Sequence, residues 1–221
     1  MKFLAVVLFF VSLQARSQTW DTIPVLPDHY REKLEEFRKQ KETNGKILFL
    51  GNSITEGGDF KKLIGDSTVI NRGIGGDITY GVLNRLEEAT RFKPSKLFIL
   101  IGVNDLSKHI PENVILQNMF AIVNLVHSQS PKTLVYVQSI LPVNPGVKDF
   151  PKGYDVNESV VLINRELSNM QKRVKYTFID LHKSFTNVEG LMDVKYTSDG
   201  LHLNTAGYQR WIRILKEGKH L

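Results

Sequence analysis

From residue 46 onward the sequence alternates short apolar runs with amphipathic segments, and that alternation limits the folds open to it. The runs fall at 46–50 (KILFL), 68–70 (TVI), 96–101 (KLFILI), 133–138 (TLVYVQ) and 176–179 (YTFI). Most are continuously apolar, as expected of strands buried on both faces. The segments between them predict helices near 55–64, 78–90, 112–128 and 158–173, and a last one covers 205–217. Strands alternating with helices specify an α/β fold with a parallel sheet covered on both faces.

Composition narrows the function classes. The chain has 221 residues, 42% of them hydrophobic, and no Cys. A chain of this size buries a core without a metal or disulfide staple. The absence of Cys excludes a disulfide framework, a Cys nucleophile, an iron–sulfur cluster and a Cys-based zinc site. The His residues show no spacing of the H-E-x-x-H kind, so no metal is expected. No basic cluster is interleaved with aromatics, so nucleic acid is not an expected partner.

The first thirteen residues, MKFLAVVLFFVSL, carry one Lys and then an apolar run, with small residues at Ala15 and Ser17. This is the pattern of a secretory signal peptide over 1–17. The run is shorter than the roughly 20 residues a membrane-spanning helix needs. Cleavage would remove Lys2 and Arg16, lowering the formal charge of +6 by two. No Cys follows the apolar run to carry a lipid anchor. The mature protein is therefore expected in the periplasm or outside the cell, with no membrane anchor. Residues 18–45 read as an N-terminal extension, with a Pro-containing lead-in over 18–27 and a charged helix over 28–43. Residues 46–221 form the main domain.

In open α/β sheets, ligands bind outside the carboxyl ends of the strands. The first strand is followed by Gly51-Asn52-Ser53-Ile54-Thr55-Glu56. A Ser at such a turn can be an exposed nucleophile whose own N–H faces an oxyanion, or an ordinary helix N-cap. It is not the G-x-S-x-G elbow, because Thr55 stands where the second Gly would be. Asn71-Arg72-Gly73-Ile74-Gly75-Gly76-Asp77 follows the second strand. Its glycines can turn a backbone N–H toward a ligand, or simply make a turn; the full dinucleotide fingerprint is absent. Gly102-Val103-Asn104-Asp105 follows the third. Asn104 can donate to a developing negative charge, or be a turn residue. Near the C-terminus Asp199-Gly200-Leu201-His202 can orient and polarise one imidazole, or be a capping Asp and an incidental His. The Pro- and Gly-rich stretch 141–155 is a long loop after the fourth strand, of the kind that often carries function. The blocks gain force together: three fall at strand ends on one rim, and the fourth supplies the base the first lacks.

In this order, GNS, GIGGD, GVND and DGLH, the sequence resembles the SGNH (GDSL-type) hydrolase superfamily from about residue 46 to 215. The likeness is strongest to the branch of platelet-activating-factor acetylhydrolase catalytic subunits and secreted carbohydrate O-acetylesterases. The resemblance implies a flavodoxin-like three-layer α/β/α fold with a five-stranded parallel sheet. It implies Ser53 as nucleophile, Asp199 and His202 as acid and base, and Ser53, Gly76 and Asn104 as oxyanion donors. No cofactor is implied. The family's usual Asp before the nucleophile is Asn52 here, which keeps a carbonyl acceptor and loses the charge.

The expected activity is hydrolysis of short acyl esters, acetyl first, on a small molecule or glycan. Leu141, Pro142 and Asn144 in the long loop are the expected contacts for the alcohol side. A lipid-directed acylhydrolase or thioesterase would use the same chemistry. A silent glycan-binding module would have less use for an intact Ser53, Asp199 and His202. A flavodoxin-like phosphate binder would leave His202 unused. Asn157-Glu158-Ser159 is a glycosylation sequon that matters only in a host that glycosylates exported proteins.

Overall fold

The computed structural model describes residues 25–41 and 46–221. The expected export segment at 1–17, and most of the lead-in, lie outside these residues. Five strands, β1 (Ile47–Gly51), β2 (Ile70–Gly73), β3 (Lys96–Leu100), β4 (Leu134–Gln138) and β5 (Thr177–Ile179), form one parallel sheet in the order β2-β1-β3-β4-β5. The order reverses at β1, between β2 and β3, so the crevice for a ligand lies above these three strands.

The α/β expectation holds, with differences in detail. The second strand was expected at 68–70 and runs over Ile70–Gly73, pairing Asn71 with Phe49 and Arg72 with Leu50. A polar pair interrupts the apolar pattern there. Arg72 is tolerated because its guanidinium lies 4.5 Å from the Phe37 ring centroid and 4.8 Å from that of Phe92, with its Nε bonded to Glu88. The extension contributes α1 (Tyr30–Arg38). The helix expected over 55–64 is two, α2 (Ser53–Glu56) and α3 (Phe60–Ile64), parted at Gly57-Gly58. That expected over 78–90 is also two, α4 (Thr79–Asn84) and α5 (Leu86–Thr90), parted at Arg85. Arg85 turns inward to donate to Asp77 and to the carbonyls of Gly51 and Arg72.

A short α6 (Val103–Ser107) follows β3, then α7 (Glu112–Gln129). The chain continues through α8 (Asn157–Val174), α9 (His182–Phe185) and α10 (Thr205–Glu217). The register sets Phe49, Phe98 and Tyr136 side by side on one sheet face, where their rings stack. Phe60 of α3 stacks on Phe49 at 3.9 Å, and Trp211 of α10 meets both edge-on. This aromatic block fixes α3 and α10 in one layer, each buried ring contributing on the order of 1.5–3 kcal/mol. In the other layer α7 packs against α4, α5 and α8, burying Ile115, Met119, Ile122, Val123 and Val126.

Candidate active site

Ser53 is the first residue of α2, at the carboxyl end of β1. Asn52 caps this short helix, its Oδ1 accepting from the Ile54 N–H at 3.1 Å. The carbonyl acceptor is thus used here without the carboxylate charge. Tyr208 of α10 donates to the Ile54 carbonyl, and Asn71 of β2 donates to the carbonyls of Thr55, Glu56 and Gly58. The backbones also touch closely: a Cβ on Gly73 would lie 2.0 Å from the Glu56 nitrogen, so only glycine fits there.

The Ser53 Oγ lies 3.0 Å from His202 Nε2, across 149 residues of sequence. On the other side of the ring, His202 Nδ1 lies 2.6 Å from Asp199 Oδ2. The remaining carboxylate oxygen of Asp199 accepts from the backbone N–H groups of Leu201 and His202. Burial pushes the Asp199 carboxyl up, but its bonds from the His202 ring and these N–H groups outweigh it and leave the group below its ordinary value. The acid is therefore ionised beside the imidazole. The loop is closed by Thr197, which donates to the His202 carbonyl and accepts from Gly200 N–H. The His202 side chain is 43% accessible, so one edge of the relay is open to a ligand.

Gly76 lies in a turn after β2, closed by the Asp77 N–H on the Ile74 carbonyl, with φ of +73°. The turn is held by Glu56, which accepts from Gly75 N–H at 2.7 Å and pairs with Lys33 of α1. Among the described residues, the N–H groups of Ser53 and Gly76 donate to no turn, cap or side-chain acceptor. They stay available for an incoming oxygen. Asn104 follows β3 on α6 and is 2% exposed. Its Nδ2 donates to the Asp77 carbonyl at 2.8 Å and its Oδ1 accepts from the Tyr154 hydroxyl at 2.8 Å. One amide hydrogen is left over. Serine, a histidine base, an ionised acid and unclaimed donors at neighbouring strand ends can together attack a carbonyl and hold the negative oxygen that results.

Asp105, next to Asn104, binds the backbone N–H and hydroxyl of Thr79. Burial still pushes its carboxyl up to about 7, with Asp77 adding to the rise. Asp77 is raised by burial in turn, against its ion pair with Arg85. These buried acids tie α6 to α4 beneath the site.

The structure does not bring Leu141, Pro142 and Asn144 to a substrate face. All three are buried. Asn144 spends its side chain on the Met192 carbonyl and the Gly146 N–H, and its own N–H on the Gly200 carbonyl, so it braces the Asp199–His202 loop. The cause is α8: Asn157 and Asn164, two turns apart on one helix face, each bind both backbone groups of one residue, Val143 and Ile140. That zips 140–144 down along the helix. It also commits the amide nitrogen of the sequon residue Asn157 to a protein carbonyl. Sequence reasoning missed Tyr154, Glu56 and Asn71. Tyr154 sits in the long loop that was singled out, but nothing in the sequence pairs it with Asn104, 50 residues away.

A model of the GDSL-like lipase/acylhydrolase family matches residues 49–210. The chain is similar to platelet-activating factor acetylhydrolase IB subunit alpha2 of Rattus norvegicus, with 28% identity over 188 residues that span 81% of this chain and 77% of the rat protein. A solved structure from Streptococcus pneumonia, described as a platelet activating factor, superposes with a TM-score of 0.75 and 32% identity, covering 86% of this chain and 92% of that one. An acetylxylan esterase from Geobacillus stearothermophilus, solved as a catalytic mutant, shares the fold at a TM-score of 0.64 and 19% identity, covering 80% of this chain and 95% of that one. With the family model spanning most of the sequence, the chain belongs to the GDSL-like lipase/acylhydrolase family and is an ester-hydrolysing enzyme.

Proposed function

We propose that this esterase is exported and removes short acyl groups, acetyl first, from carbohydrate hydroxyls through an acyl-enzyme on Ser53. The observation that carries the mechanism is the unbroken line from Ser53 Oγ through His202 to Asp199, at 3.0 and 2.6 Å. Ser53 Oγ attacks the ester carbonyl carbon while its proton passes to His202 Nε2. Asp199 holds the proton on Nδ1 and stabilises the imidazolium. The oxyanion is received by the N–H groups of Ser53 and Gly76 and by the free amide hydrogen of Asn104. The C–O bond to the alcohol then breaks, and His202 returns the proton to the leaving oxygen. Water repeats the cycle: it gives its proton to His202 and attacks the acyl carbon, the bond to Ser53 Oγ breaks as His202 returns that proton to Oγ, and the carboxylic acid is released.

The export reading rests on the leader-like run over 1–17. The carbohydrate reading is supported by the acetylxylan esterase of the same fold. A lipid ester is the second reading, favoured by the platelet-activating factor acetylhydrolase relative. The test is hydrolysis of p-nitrophenyl esters from acetate to octanoate by residues 18–221, with Ser53→Ala alongside. Turnover strongest on acetate and lost in the variant is the expected result; acetylated xylan and an acetylated phospholipid then separate the two substrates. A preference for octanoate would move the reading to lipids or thioesters. Turnover surviving in a folded Ser53→Ala protein would overturn the mechanism.

A further inference from the structure

The amide of Asn104 has two nearly isosteric ends, and only one of them can stabilise an oxyanion. Its partners decide which end faces the site. The Asp77 carbonyl can only accept, so the NH₂ group must lie there, at 2.8 Å. The carbonyl end then needs a donor, and the Tyr154 hydroxyl supplies one at 2.8 Å. A bond on Oδ1 also draws charge through the amide and strengthens the remaining N–H as a donor.

Tyr154 is held well enough to act in this way. Its ring packs against the main core. Just after it, Asn157 grips both backbone groups of Val143. Just before it, the chain passes near the end of α6, the helix that carries Asn104: a Cβ on Gly153 would lie 3.8 Å from the Ser107 carbonyl oxygen.

We propose that Tyr154 is a positioning residue for ester hydrolysis, and that the loop after β4 acts through its hydroxyl by fixing and polarising the oxyanion-binding amide of Asn104. This rests on the acyl-enzyme reading above. It assigns to the long loop a part in the chemical step, in place of the alcohol-side contacts expected at Leu141, Pro142 and Asn144.

The experiment is a double-mutant cycle on p-nitrophenyl acetate, using Tyr154→Phe, Asn104→Ala and the pair, with Ser53→Ala alongside. The phenyl ring keeps the packing and removes only the hydroxyl, so the thermal midpoint should hold. In Tyr154→Phe, kcat should fall about three- to tenfold, the rate equivalent of one neutral hydrogen bond. KM should stay within about twofold, because the oxyanion forms only after binding. Asn104→Ala should lose about 10²–10³ in kcat. In that background Tyr154→Phe should cost nothing more. The same loss in both backgrounds, a change confined to KM, or a Tyr154→Phe enzyme with parental kcat would each overturn the proposal while leaving the nucleophile assignment intact. Persistent turnover in Ser53→Ala would overturn the acyl-enzyme reading and this proposal with it.

Discussion

Asp199 divides its carboxylate between two tasks. Oδ2 meets His202 Nδ1, and Oδ1 takes the N–H groups of Leu201 and His202. In Asp199→Asn the amide oxygen would keep the two backbone bonds, leaving the NH₂ to face Nδ1. That forces the imidazole into the other tautomer, with its proton on Nε2 aimed at Ser53, where it cannot accept. The expected outcome is a fall in kcat of about 10³–10⁴-fold on p-nitrophenyl acetate, with the thermal midpoint little changed. A folded variant within tenfold of the parent would remove Asp199 from the mechanism. The residues of this relay were legible because short blocks carry them at strand ends and before the last helix. Tyr154 was not, since its meaning lies in a bond across 50 residues that leaves no local pattern. The expectation of Asn144 on the alcohol side rests only on its loop following β4, and its partners Met192 and Gly200 are as remote from the local pattern.

Among the elements, β2 shows where an apolar pattern fails as a guide. Its hydrophobic signal ends at Ile70, yet pairing continues to Gly73 because Arg72 is neutralised inside the fold. The Arg72 and Glu88 side chains are only 1% and 3% accessible. The guanidinium also donates to the Asn71 carbonyl and to Gln40, between two aromatic rings. Glu88→Ala would leave a buried cation without its charge partner, an uncompensated change costing about 3–5 kcal/mol. Arg72→Met with Glu88→Leu removes both charges and should regain much of that loss. Urea denaturation of the single and double variants measures both. A single variant within 1 kcal/mol of the parent would show that solvent reaches Arg72 after all. The same reasoning covers the split helix: Arg85 left the 78–90 helix to bind Asp77 and two strand carbonyls, a demand set by the tertiary fold and absent from the local sequence.

At the scale of the molecule, the described part of the extension packs directly onto the domain. Tyr30 and Phe37 of α1 are buried with Ile74, from the segment that leads into the Gly76 turn. Tyr30 donates to the Gly81 carbonyl, and Arg91 donates to the carbonyls of Phe37 and Gln40. Nearer the site, Lys33 pairs with Glu56, which holds Gly75 N–H, and a Cβ on Gly76 would lie 3.1 Å from Pro27. The extension therefore supports the same turn that offers the Gly76 N–H. Removing it does two separable things. It exposes Ile74 and loses two buried aromatics, on the order of 1.5–3 kcal/mol for each side chain. It also frees the Gly76 turn, which should lower kcat beyond any loss of folded protein. A chain begun at residue 46 should thus melt well below one begun at residue 18. Below that melting range it should still turn over p-nitrophenyl acetate more slowly per folded molecule. Lys33→Met separates the two effects, because it keeps the aromatic packing and removes only the ammonium group that pairs with Glu56 and, on the helix surface, with Glu36. Its melt should change little while kcat falls by a small factor. A chain begun at 46 with the parental midpoint and kcat would show that the site stands without the extension.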